Sequence, residues 1–202
     1  MSYPGAAVLI AAIPLTAAAH PHAWIDAQTT LLLSAPSTLS AIREEWRFDR
    51  DYTAYLLRDS KGELKPLENF TQSSMRNLAA YHYFIDFYAH GAPVTLGAVK
   101  AAESSLVNGS LRMRFTIALA TPIDISAEIS LSVYDPTYYI DFQHVQDHEV
   151  LFEGPRAEAC SYRVQRAQPS AQALRQAQAM DRSAPVNPSL GKLFAEVMYV
   201  HC

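Results

Sequence analysis

Asn108-Gly109 lies between Ser104-Ser105-Leu106-Val107 and Leu111-Arg112-Met113-Arg114-Phe115-Thr116-Ile117, and the second run alternates apolar and polar residues strictly. A two-residue turn of the kind that matches strand twist needs positive φ at both positions, which Asn and Gly tolerate, and a period of two puts Leu111, Met113, Phe115 and Ile117 on one face. The middle of the chain is therefore expected to be a tight antiparallel hairpin with its arginines outward. A hairpin alone is marginal in water, so it needs more strands. His22 to Leu33 alternates loosely, Ser34-Ala35-Pro36-Ser37 interrupts, and Leu39 to Phe48 resumes with Ile42, Glu44, Trp46 and Phe48 at every second place. Tyr81–Tyr88 and Val94–Lys100 read as strands joined at His90-Gly91, and Ile125–Tyr134 and Tyr138–Phe142 as strands joined at Asp135-Pro136. Pro122 is expected to end the strand that follows the central turn.

Helices are fewer. Leu64–Ala80 has the length and leucine spacing of a helix packed on a sheet, and Ser170–Arg182 suits either a solvated helix or a flexible segment. Asn187–Cys202 carries Leu190, Phe194 and Val197 at helical spacing and reads as a last docked helix. Leu39–Leu57 fits either a strand or one amphipathic helix, since Ile42, Trp46 and Leu56 also fall near helical positions. The expected fold class is mainly β within α+β: antiparallel, sandwich-like sheets with one or two packed helices.

The 202 residues are 50% apolar and carry a formal net charge of −4, with the charges scattered, which excludes an electrostatic nucleic-acid binder and leaves enough apolar material for a core. Met1–Ala19 has no charged side chain, an apolar stretch over Ala6–Ala12 and a closing Ala17-Ala18-Ala19, the pattern of a secretory signal. Its apolar stretch is too short to span a bilayer, and no later segment reaches about 20 apolar residues without a charge or proline, so no stable membrane insertion is expected. Cleavage after Ala19 would leave residues 20–202 as the exported domain, with room for two subdomains at about 20–92 and 93–202. The two cysteines, Cys160 and Cys202, are far apart with no Cys-x-x-Cys, and in an oxidising compartment such a pair reads as a disulfide.

The residues that carry chemistry stand at that new terminus: His20-Pro21-His22-Ala23-Trp24-Ile25-Asp26. On extended backbone His20 and His22 face the same way, so both imidazoles reach one ion, and with a carboxylate they suit zinc, nickel or cobalt. A free amine on His20 would favour copper, although Pro21 lacks the amide N–H that a square-planar backbone site requires. Asp26, Asp135 and His148 are the candidate completing ligands. His144 and His148 would meet only if the chain turned at Val145-Gln146, because four strand residues span about 13 Å. Asp135 also suits a plain turn before Pro136, and Glu44-Glu45 and Asp49-Asp51, interleaved with Arg43, Arg47 and Arg50, read as a surface charge ladder. There is no nucleophile elbow, phosphate loop or His-Glu-x-x-His, and only 7 glycines, so no enzyme activity is expected.

Taken in order, the signal before His20-Pro21-His22-Ala23-Trp24-Ile25-Asp26, then Trp46-Arg47-Phe48-Asp49 with Tyr52, then Tyr134-Asp135-Pro136-Thr137-Tyr138-Tyr139 and a C-terminal cysteine, resemble one family. It is the domain-of-unknown-function group often described as the periplasmic component of an uncharacterised ABC-type transport system, which includes the Zev-type zinc-uptake partner proteins. The resemblance implies a periplasmic metal-binding protein working beside an inner-membrane permease of the nickel/cobalt/zinc type, and it brings no catalytic activity. The expected cargo is a divalent transition metal, zinc first, with nickel, cobalt or copper as the others. The alternatives are a copper-binding redox protein or enzyme built on the His20 amine, and a metal-free secreted β-rich adaptor.

Overall fold

The computed structural model describes residues 21–58, 64–180 and 187–202. The proposed signal over residues 1–19, and His20, lie outside the described residues. In chain order the elements are β1 (Ala23–Ala35), β2 (Thr38–Phe48), α1 (Arg50–Leu57), α2 (Leu64–Ala79), β3 (Ile85–Ala89), β4 (Ala92–Pro93), β5 (Leu96–Val107), β6 (Ser110–Asp124), β7 (Ile129–Val133), β8 (Ile140–His144), β9 (Val150–Glu153), β10 (Ser161–Gln165), α3 (Ala171–Ala179) and β11 (Val197–His201). The fold is mainly β, an α+β arrangement of two sheets.

The central turn closes as its residues require, with Asn108 at φ 52° and Gly109 at φ 81°, and Val107 pairs Ser110 across it. From this hairpin the first sheet runs β5-β6-β2-β1, and its far edge is completed by β8 and β9, which lie end to end along β1. Both pair with β1 in parallel, a departure from the antiparallel expectation. The second sheet runs β10-β11-β7-β3-β4. β2 pairs β6 and β3 pairs β7, so each sheet contains strands from before and from after residue 92. Between the sheets Trp46 stands edge-on to Phe115 at 4.8 Å and to Phe142 at 4.9 Å, geometries that aromatic quadrupoles favour.

Several boundaries differ from the sequence reading. Leu39–Leu57 divides: β2 ends at Phe48, and the Asp49 side chain accepts the Tyr52 N–H at 2.8 Å, capping α1. Val94–Lys100 and Ser104–Val107 form most of one strand, β5, bent by bulges on either side of Val99. In the aromatic run, the strand begins only at Ile85, because His82, Tyr83 and Phe84 all have positive φ. Pro122 does not end β6. Beyond a bulge at Leu39/Ala41 the ladder resumes through Ile123 and Asp124, and the exposed Pro122 is passed over.

The final segment is a strand, where a helix was expected. Leu190 is fully buried at a short 3-10 turn, and Val197–His201 then inserts between β10 and β7 with Met198 and Val200 buried in alternation. Cys160 and Cys202 are bonded, just outside the ends of β10 and β11.

The charge ladder exists for Arg43–Glu153, Arg47–Asp26 and Arg114–Glu45, all at least partly exposed. Glu44 corrects it. The residue is 0% exposed on the inward face with Ile42, Trp46 and Phe48, where Oε1 accepts from the Thr29 hydroxyl at 2.8 Å and Oε2 from the Trp46 indole N–H at 3.2 Å. Burial pushes its carboxyl up to about 8 against the smaller pull of those two hydrogen bonds.

Candidate functional site

β1 enters the first sheet at His22. The His22 N–H donates to the Tyr139 carbonyl at 2.8 Å, and the two rings lie 4.8 Å apart. The imidazole is half-buried, with Nε2 shielded from solvent. From here Ala23, Ile25 and Ala27 point into the core, while Trp24, 47% exposed, and Asp26 point out. The backbone of Trp24 is tied to Asp49 twice: Asp49 N–H donates to the Trp24 carbonyl, and Trp24 N–H donates to the Asp49 carboxylate, each at 2.9 Å. Asp49 thus fixes the start of β1 to the start of α1. This brings Tyr52 near Tyr139, and burial, helped by Tyr139, Tyr55 and Asp49, raises the Tyr52 phenol.

The candidate ligands disperse around this point. Asp26 is held by Arg47, whose Nε donates at 3.1 Å. Asp135 is 5% exposed, and its carboxylate accepts from the Thr137 N–H and hydroxyl, both at 2.9 Å, and from the Ile140 N–H at 3.1 Å. It is saturated by the turn it organises. His148 is exposed beside the middle of β1, where its carbonyl accepts from Gln28 Nε2 at 3.2 Å. Six strand residues separate Gln28 from His22, about 20 Å, so His148 does not share an ion with His22. The chain does turn after His144, with His148 N–H donating to the Val145 carbonyl at 3.0 Å, yet His144 goes inward while His148 stays out. Among the described residues no group of three or more His, Cys, Asp or Glu side chains is placed to hold a metal ion.

A second constellation lies along the free edge of β8. Glu196 accepts from the backbone N–H of His144 at 3.3 Å and lies 3.0 Å from its Nδ1, while Arg166 bridges Glu196 to Glu149. Tyr162 donates to Glu149 at 2.9 Å. Burial pulls the Glu196 carboxyl up, but the hydrogen bonds from His144 and Arg166 prevail and hold it at about 2. Beside it opens a cleft of about 560 Å³ lined by Tyr138, Asp141, His144, Arg166, Phe194 and Glu196. Asp141, half-buried, accepts only from Gln143 Nε2 at 3.1 Å, and burial, then the neighbouring Glu196, push its carboxyl up. Neither Glu196 nor Asp141 announced itself in the sequence: Glu196 sits in a segment read as helix, and Asp141 in a strand read for its aromatics.

The same C-terminal segment locks the Asp135 turn. Gly191 N–H donates to the Pro136 carbonyl at 2.9 Å, and a Cβ at Gly191 would fall 1.8 Å from the Asp135 carbonyl oxygen. Gly191→Ala is therefore expected to lower stability by roughly 1–3 kcal/mol, as overpacking does, measurable as a shift in the urea midpoint.

With these positions set, comparison with known proteins gives the grouping. The family described as "Protein of unknown function (DUF1007)" matches residues 5–202. The chain belongs to this family. A Haemophilus influenzae relative, named only as an uncharacterized protein, is 26% identical over 190 residues, covering 91% of each chain. Among the described residues of this DUF1007 member, no helix is long and apolar enough to cross a membrane, and the Cys160–Cys202 disulfide is compatible with export.

Proposed function

We propose that the protein is an exported, periplasmic binding and delivery protein for a divalent transition metal, zinc first and nickel or cobalt next, serving an inner-membrane permease. The observation that carries this reading is the fixed presentation of His22, which is seated by a backbone hydrogen bond to Tyr139 and by the Tyr139 ring at the entry of β1. A ligand held this way has already lost most of its conformational freedom, so less of the binding energy is spent on ordering it. His20, two residues earlier, supplies the second imidazole. Two imidazoles and a carboxylate leave one tetrahedral position open, which suits a site that must release its cargo to another protein.

The mature chain starting at His20 is expected to bind Zn²⁺ in competition with a chromophoric chelator, and His20→Ala/His22→Ala is expected to weaken that binding by at least about 100-fold. Because a proton competes with the metal for the imidazole nitrogen, affinity should fall as pH is lowered. Equal affinity in the double variant and the parent would overturn the reading.

A further inference from the structure

We propose that the pocket at the Trp24 end of the first sheet binds a neutral sugar, a pyranose packed against the Trp24 indole. This pocket is separate from the cleft beside Glu196 and uses neither histidine of the metal reading. It holds about 410 Å³, within the roughly 300–1,000 Å³ of small-molecule sites. Strand register lays out its walls. Ile25 stands opposite Phe48 and Arg47 opposite Arg112, so Trp24 faces Asp49, and Asp49 faces Ser110, which pairs Val107. Trp24, Asp49, Ser110 and Val107 all line the pocket, and they form a row across four strands, about 14 Å from end to end at the usual strand spacing. Both ends of the row are apolar and exposed, 47% at Trp24 and 36% at Val107. The floor between them is polar.

The charges of the lining decide the class of ligand. Asp26 and Asp49 stand against Arg47 and Arg50, so a ligand of either sign meets as much repulsion as attraction. A hydroxyl is suited to both, because it donates to carboxylates and accepts from guanidiniums, and hydrogen bonds to charged groups are the stronger kind. These groups have capacity left. Asp26 meets Arg47 through Oδ2 alone, which leaves Oδ1, and each Asp49 oxygen accepts one backbone N–H, from Tyr52 and from Trp24. The side chains of Arg50 and Asn108, both exposed, have no partner among the described residues. A pyranose also turns C–H groups outward on the faces of its ring, and the Trp24 indole offers them a large flat apolar surface. That surface is preset: Asp49 holds the Trp24 backbone by two hydrogen bonds of 2.9 Å, so the indole projects from a fixed strand.

Titration of the purified protein, in EDTA, with the methyl glycosides of glucose, galactose, mannose and N-acetylglucosamine tests this. Of the two tryptophans Trp46 is buried and Trp24 exposed, so a saturable change in indole fluorescence reports the pocket. At least one of the four sugars is expected to give that change, with calorimetry returning the same Kd. The uronate and the free 2-amine of the sugar that binds, charged on the same ring, are expected to bind at least about 10-fold more weakly. By calorimetry, Arg50→Ala is expected to cost about 10-fold, the loss of one hydrogen bond to a charged group, and Trp24→Ala at least that. Trp24→Phe, which keeps an aromatic face, should fall between Trp24→Ala and the parent. Thermal melts report whether each variant folds. No saturable binding of any of the four sugars, a parent-like Kd in both Trp24→Ala and Arg50→Ala, or tighter binding of a charged form than of its neutral parent would overturn the proposal. None of these results bears on the metal reading, because the chelator removes the ion.

Discussion

Glu44→Gln is expected to match the parent protein near pH 4.5 and to exceed it in stability by a few kcal/mol at pH 8. The parent carboxyl titrates at about 8 when folded and at an ordinary 4.5 when unfolded. Between those values the folded state keeps a proton that the unfolded state has released, so the unfolded state binds fewer protons and stability falls as pH rises. This one group contributes a slope of about 1.4 kcal/mol per pH unit across that window, and the loss levels off above it. Glutamine keeps the shape, can accept from the Trp46 indole and can donate to a turned Thr29 hydroxyl, so the pocket stays satisfied without a titrating group. Glu196 works in the opposite direction and elsewhere: its depressed carboxyl stabilises the fold above 4.5, and that contribution is lost as pH falls toward about 2. Urea midpoints at several pH values separate the two. If parent and Glu44→Gln show the same slope between pH 5 and 8, the buried carboxyl is not protonated in the folded protein.

Glu44 also shows what was legible and what was not. The period of two from Ile42 to Phe48 already placed Glu44 among the inward residues, but its neighbours Arg43, Glu45 and Arg47 argued for a ladder at the surface. Strand register decides the face of every residue at once, and it overrode the charge pattern. Local signals succeeded where a short motif fixes geometry, as at Asn108-Gly109 and along the Leu64–Ala79 helix. They failed at Val197–His201, where helical spacing at Leu190, Phe194 and Val197 lost to a vacant central position between β7 and β10. The same limit hid the Glu196–His144 contact, which joins residues 52 apart in sequence. The candidate site divides along this line: the His-x-His pattern is local and readable, whereas the placement of Tyr139 beside His22 is set by a parallel pairing that no nearby residue encodes.

Replacing both cysteines, Cys160→Ala/Cys202→Ala, is expected to lower stability by about 3–4 kcal/mol, and treating the parent with reductant to reproduce that loss. The bridge spans a sequence separation of 42, and chain entropy for a loop of that size gives about 4 kcal/mol of unfolded-state constraint. Its position makes the effect global. Ser161 pairs His201 immediately inside it, the Cys202 N–H donates to the Ile125 carbonyl at 2.9 Å, and β11 is an inner strand with Met198 and Val200 fully buried. Detaching its end therefore loosens β10 and β7 together, and the loss should appear in the main unfolding transition, not in a separate fraying step. A urea midpoint unmoved by reductant, with free thiols confirmed by mass, would show that β-sheet packing alone holds the C-terminus. The same difference has a cellular consequence: chain held in a reducing compartment reaches only the weaker form, so the disulfide couples the stability of this fold to the redox state of its surroundings.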